Sequence, residues 1–315
     1  MQIMLISLAF IVSAVCAGLM GFAIQRGATC TVAAVDEIVG KRRFNRLISM
    51  LEASLWVAGG LLIAHTLHVL PTMPPGYAAT YLTVLGGVLL GLGAYINGAC
   101  VFGAIARLGS GEWAYVVTPL GFYIGCLTVG PIFSPPTPTK LATGSPLFDS
   151  AMWLAALFAA FMLYRITSPM TRVWSPHTAT AVIAITFVVI LLSIGGTWAY
   201  TDVLVDLAHG MAGSLIARTA LLVALFAGAL VGGYTGGRFR SPRVSVAQLA
   251  KCFVGGAMMA WGTLLIPGSN DGLVLIGMPL LRPYAWVAFG TMCVTIAVAK
   301  IATGYLQGEP ALQQA

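Results

Sequence analysis

The sequence predicts an all-α polytopic membrane protein: inverted repeats with broken or re-entrant helices around a central pore. Three observations carry that expectation. Of 315 residues, 59% are hydrophobic and only 8% charged, with a mean hydropathy of +0.93, a composition outside the soluble range. Apolar runs of about 20 residues, the length of a spanning helix, recur along the chain. Two of them are interrupted by glycine-rich breaks, and the second break lies 169 residues after the first. The apolar runs suggest about eight to ten spans, some of them broken. Their continuity excludes an outer-membrane barrel, whose strands alternate over segments of ~10 residues.

In chain order, the first run covers Ile3 to Gln25. Its first positive charge, Arg26, follows the run, so it reads as a span and not as a cleavable signal peptide. Gln25, Arg26 and Gly27 then interrupt the helix just before Cys30. Arg26 either snorkels at the interface or faces the pore as counter-charge to an anion. Asp36 and Glu37 are expected to pair with the basic loop that follows. Leu47 to Leu70 spans next, with Glu52 at its cytoplasmic end and His65 and His68 at the other. With no third ligand nearby these histidines read as interfacial, and His177 and His209 stand alone, so no metal or cofactor site is expected. The uncharged loop from Pro71 to Ala79 is expected outside.

The central stretch is Gly91 to Glu112, GLGAYINGACVFGAIARLGSGE. Ala78 to Asn97 is expected as a helix, Gly98-Ala99-Cys100 as a break, and Val101 to Leu108 as a second short helix. Lipid cannot satisfy the backbone groups freed at a break, so it must line a cavity. The leading N–H groups of the second helix and its dipole favour an anion, with Cys100 beside it. Arg107, two turns on, either pairs with Glu112 at the surface or attracts the anion.

Residues 1–133 read as a first transmembrane repeat, the Pro- and Ser-rich stretch 134–150 as a connecting loop, and 151–315 as a second repeat. In the second, Thr178 to Ser193, Arg218 to Gly236 and Val246 to Ile266 are spans, and Tyr200 to Ala208, with Asp202 and Asp206, is a re-entrant or interfacial segment. Pro267-Gly268-Ser269-Asn270-Asp271-Gly272 forms the second break. At the constant shift of 169, Gly86, Gly93, Tyr115 and Gly121 fall on Gly255, Gly262, Tyr284 and Gly290, and Cys100 falls on Ser269. Asp271 either caps the following helix or acts as a protonatable coupling group.

The net charge of +7 is no mark of nucleic-acid binding, because ten of the 16 Lys and Arg residues lie in three loops. These are Lys41, Arg42, Arg43 and Arg46; Arg165 and Arg172; and Arg238, Arg240, Arg243 and Lys251. The positive-inside rule places such loops in the cytoplasm. Under the shift of 169 each large basic loop falls on an uncharged one, which is the signature of inverted repeats. The six cysteines form no CxxC pair, so neither a disulfide framework nor a thiolate metal site is indicated. Cys16, Cys126, Cys252 and Cys293 read as packing residues, and Cys30 and Cys100 stand out by their context.

IQRGATC with Asp36 downstream, GLGAYINGACVFG followed by Arg107, and PGSNDG in the second half resemble the YeeE/YedE family of sulfur-compound transporters. The resemblance implies a helical pore in the bacterial inner membrane, with Cys30 and Cys100 as path cysteines for thiosulfate or a related small sulfur-containing anion. A cytoplasmic sulfur-carrier protein is a further implied partner. Read on its own, the site comprises Cys30, Cys100, Gly98, Gly268, Ser269, Asn270 and Asp271, with Arg26 and Arg107 as flanking charges. A neutral thiol touches a soft sulfur without holding it tightly, and a hydroxyl suits an oxyanion oxygen. The competing readings are an intramembrane sulfur-transfer or redox subunit acting through Cys30 and Cys100, and a purely structural subunit.

Overall fold

The computed structural model describes residues 7–129, 136–138, 145–149, 151–167, 176–210 and 215–306. Arg172 and most of the expected connecting loop 134–150 lie outside the described residues. The first half contains α1 (Leu8–Gly27), α2 (Thr31–Lys41), α3 (Asn45–Thr66), α4 (Tyr81–Asn97), α5 (Val101–Gly109) and α6 (Val117–Val129). After α7 (Pro146–Asp149) and α8 (Ala151–Thr167) come α9 (Pro176–Ile194), α10 (Tyr200–Ala208), α11 (Leu215–Thr235), α12 (Val246–Leu265), α13 (Asn270–Gly272) and α14 (Pro283–Leu306). A π turn over Leu273–Gly277 extends α13.

Local chemistry sets the helix ends. Ser7 and Ser245 cap α1 and α12 by accepting from the N–H groups of Phe10 and Gln248. Thr80 and Thr83 form a capping box at the start of α4. At its other end Gly98 takes a left-handed φ of +75°, a conformation in which glycine carries no Cβ penalty.

At the shift of 169, α1 to α6 correspond in order to α9 to α14, and α7 and α8 have no counterpart in the first half. The equivalent helices α4 and α12 cross antiparallel at paired glycines. A Cβ on Gly86 would lie 2.9 Å from the Gly262 carbonyl oxygen, and one on Gly262 would lie 2.6 Å from that of Gly86. Gly93 and Gly255 oppose each other in the same way, at 2.8 and 2.6 Å. Only glycine lets two backbones approach this closely. Because 86 meets 262 while 93 meets 255, one repeat is turned upside down relative to the other.

The basic stretches gather on one face. Arg238 reaches the Arg26 carbonyl at 3.0 Å, Arg46 that of Ala28 at 3.4 Å, and Arg165 pairs with Glu52 at 2.7 Å. The positive-inside rule assigns that face to the cytoplasm.

Among the described residues six helices are long and apolar enough to cross a membrane, or seven if the bent pair Val246–Leu265 and Asn270–Gly277 is one span. The protein is a multi-pass membrane protein. The sequence suggested more spans because α1 with α2, and α4 with α5, are each one interrupted span, and Trp113–Val129 and Ala156–Arg165 are shorter. Asp36, expected to pair with the adjacent basic loop, instead meets Lys300 at the end of α14. Its neighbour Glu37 accepts from the Arg46 backbone N–H at 3.0 Å.

Candidate functional site: four helix breaks that meet in the interior

Each half supplies two breaks, and in each the first residue after the interruption is an extended N-cap. Cys30, Cys100, Ala199 and Ser269 hold these places for α2, α5, α10 and α13. The freed groups around Cys100 are satisfied by protein. Asn97 donates to the Ala99 carbonyl at 2.7 Å and accepts from Thr118 at 2.9 Å, while the Tyr115 hydroxyl donates to the Asn97 carbonyl at 3.1 Å. In the second half Ser54 of α3 donates to the Val274 carbonyl released by the π turn, at 2.6 Å.

The first half brings two thiols together. The sulfurs of Cys30 and Cys100 are 3.7 Å apart, and the Thr31 backbone N–H donates to the Cys100 sulfur at 3.1 Å. Cys100 is fully buried and Cys30 nearly so, and both are free thiols. Gly103 makes the approach feasible, since a Cβ there would sit 3.0 Å from that of Cys30 and closer still to its sulfur. The first bonds onto the N-cap carbonyls of α2 and α5 come from Ala34 and Ala104. The N–H groups ahead of them have no acceptor within their own helices and lie beside the thiols, that of Thr31 donating to the Cys100 sulfur.

The second half offers oxygen. The hydroxyls of Ser269 and Thr201 are 2.8 Å apart, and Thr201 also lies 3.1 and 3.2 Å from the two oxygens of the buried Asp271 carboxylate. Asn270 joins the halves by donating to the Thr31 hydroxyl at 3.3 Å. Two side-chain oxygens in this region, Thr29 Oγ1 and Asn270 Oδ1, are buried without a hydrogen-bond partner.

The expected site residues divide. Cys30, Cys100, Gly98, Gly268, Ser269, Asn270 and Asp271 lie at the converging breaks. Arg26 and Arg107 stand away from them. Arg26 packs its guanidinium 5.9 Å above the Phe22 ring, and Arg107 pairs with Glu112 at 3.0 Å with a side chain 45% exposed. Ser269, not Asp271, holds the N-cap of α13; Asp271 sits in the first turn and accepts from the Gly272 N–H at 2.9 Å.

Sequence reasoning missed Thr31 and Thr201, which have no spacing signature, and Arg282, which reads as an ordinary span-end cation. It also left His177 without a partner. In the structure His177 and Arg165 converge on Glu52, at 2.5 and 2.7 Å. Among the described residues no group of three or more His, Cys, Asp or Glu side chains could hold a metal ion.

No curated protein matches the chain. A family model described as sulphur transport matches residues 26–298, which include all four breaks. That match agrees with the YeeE/YedE resemblance and supports a transporter of sulfur compounds; the chain belongs to the sulphur-transport family.

Proposed function

We propose that the protein carries thiosulfate, or a closely related small sulfur-containing anion, across the bacterial inner membrane. The observation that supports this most is the pair of buried thiols 3.7 Å apart at the N-termini of two half-helices, joined through Thr31 and Asn270 to a hydroxyl pair. The leading N–H groups and positive dipole ends of α2 and α5 favour an anion. The Thr29 hydroxyl, buried without a partner, is a further donor. The thiols offer weak, polarizable contact to a terminal sulfur, and Ser269 and Thr201 offer hydroxyls to oxyanion oxygens. Neither contact is strong enough to trap the substrate, as conduction requires.

Uptake of radiolabelled thiosulfate into vesicles containing the purified protein tests this. Accumulation above that of empty vesicles, weakened more by excess unlabelled thiosulfate than by sulfate, is the expected result. Uptake equal to that of empty vesicles contradicts it.

A second reading is favoured by one distance. A thiolate of the pair that attacks the outer sulfur of thiosulfate breaks its S–S bond, releases sulfite and becomes a persulfide. The second thiol, 3.7 Å away, can take that outer sulfur after a small movement and yield it to a thiol of a cytoplasmic carrier protein. A sulfur adduct on Cys30 or Cys100 after exposure to thiosulfate would favour this reading over non-covalent passage.

A further inference from the structure

A cavity of about 150 Å³ lies on the face opposite the basic loops and reaches the second break. Its lining includes Pro74, Pro75 and Tyr77 from the α3–α4 loop, Gly268 from the break, and Arg282 and Tyr284 from the start of α14. We infer that this cavity is a receiving site for the substrate anion, held by the Arg282 guanidinium before the anion passes to the breaks. The inference rests on the proposed transport of a small sulfur-containing anion.

Charge accounting carries it. Arg282 is only 8% exposed, and its guanidinium donates to the carbonyls of Pro75, at 2.8 Å, and Pro74. Both acceptors are neutral. Among the described residues the ion pairs are Arg107 with Glu112, Arg165 and His177 with Glu52, Arg218 with Asp206, and Lys300 with Asp36. Arg282 is in none of them.

A guanidinium cannot shed its proton, and a buried charge without a counter-charge is costly. An anion in the adjoining cavity supplies that counter-charge. Each water takes roughly 30 Å³ of liquid volume, so the cavity holds several waters or one tetrahedral anion. Asp202 also lines the cavity without being paired to Arg282. A carboxylate in the same space keeps the anion from being held too tightly to move on.

The other end of the protein provides the contrast. At the shift of 169 the residue equivalent to Arg282 is Trp113, and the nearby cation, Arg107, lies 5.4 Å from the Tyr115 ring but is already neutralised by Glu112. Tyr115 and Tyr284 are themselves equivalent. At these equivalent places in the two halves, Arg282 thus keeps an unpaired charge and Arg107 a paired one.

The experiment uses Tyr77→Cys as a reporter in the full-length protein and follows its alkylation by a neutral maleimide. With Arg282 present, thiosulfate and sulfate are each expected to slow alkylation. Arg282→Gln should raise the anion concentration needed for half-protection about tenfold or more, and Arg282→Lys, which keeps the charge, by less. Equal protection with Arg282 and with Gln at 282, or no protection with Arg282, overturns the site. If Arg282→Gln does not yield folded protein, the Lys variant and the unmodified Arg282 background decide, and protection unchanged by Lys counts against the site. Labelling needs no transport. Protection without vesicle uptake therefore contradicts the transport reading alone, and uptake without protection contradicts this site alone.

Discussion

The break at Gly98–Cys100 and the break at Pro267–Ser269 have equivalent places in the two halves but opposite chemistry. The N-caps Cys100 and Ser269 share an extended backbone, with φ and ψ of −74° and −177° in one and −79° and 177° in the other. Around Cys100 the near contacts are a second thiol and a backbone N–H. Around Ser269 they are a hydroxyl and, through it, a carboxylate. The inverted repeat duplicates the geometry of a helix break, and side chains then make one copy soft and the other hard. On the proposed reading, these two surfaces suit the two ends of thiosulfate, a terminal sulfur and a trio of oxygens.

Removing the oxygen side should have the largest effect on stability. Thr201→Val strips the hydroxyl that bridges Ser269 and the Asp271 carboxylate, leaving a buried acid short of a donor, at a cost of about 1–3 kcal/mol. Thermal unfolding in detergent should show a clear drop for Val and a small one for Thr201→Ser; an unchanged midpoint for Val would mean the bridge contributes nothing. The thiol side is broken sterically by Gly103→Ala, whose Cβ displaces the Cys30 sulfur. We expect thiosulfate uptake to fall several-fold at equal membrane abundance, and unimpaired uptake would separate the thiol contact from transport. The smallest effect is expected from Cys16→Ala. That thiol is half-buried on α1 away from the breaks, and uptake should stay within about twofold, as for a surface-type substitution.

Much of this arrangement was legible in the sequence. Gly98-Ala99-Cys100 marked the first break because glycine at a helix end and an uncharged neighbourhood are local signals, and α5 begins at the residue expected. Tyr200 to Ala208 is a separate short helix with the bounds read from the sequence, because glycines end the preceding helix. The repeat shift foretold the pairing of Cys100 with Ser269 in the two breaks.

What was not legible depends on contacts far apart in the chain. No spacing rule links Asn270 to Thr31, Glu52 to His177, or Arg282 to Pro74 and Pro75. The fate of an arginine is decided by its partner. Arg107 finds Glu112 five residues away, whereas among the described residues Arg26 and Arg282 are in no ion pair. Sequence position alone does not reveal which of the three keeps an unpaired buried charge.

The most direct test exchanges the chemistry of the two breaks while keeping the backbone. Initial uptake of thiosulfate and of sulfate is measured in vesicles for the unmodified protein, Cys100→Ser, Cys100→Ala and Ser269→Cys. If the thiol acts as a weak non-covalent contact, Cys100→Ser retains part of the thiosulfate uptake, Cys100→Ala loses about tenfold or more, and Ser269→Cys shifts preference toward thiosulfate. If serine and alanine at position 100 are equally inactive and the unmodified cysteine carries a sulfur adduct, non-covalent passage is contradicted and covalent sulfur transfer takes its place.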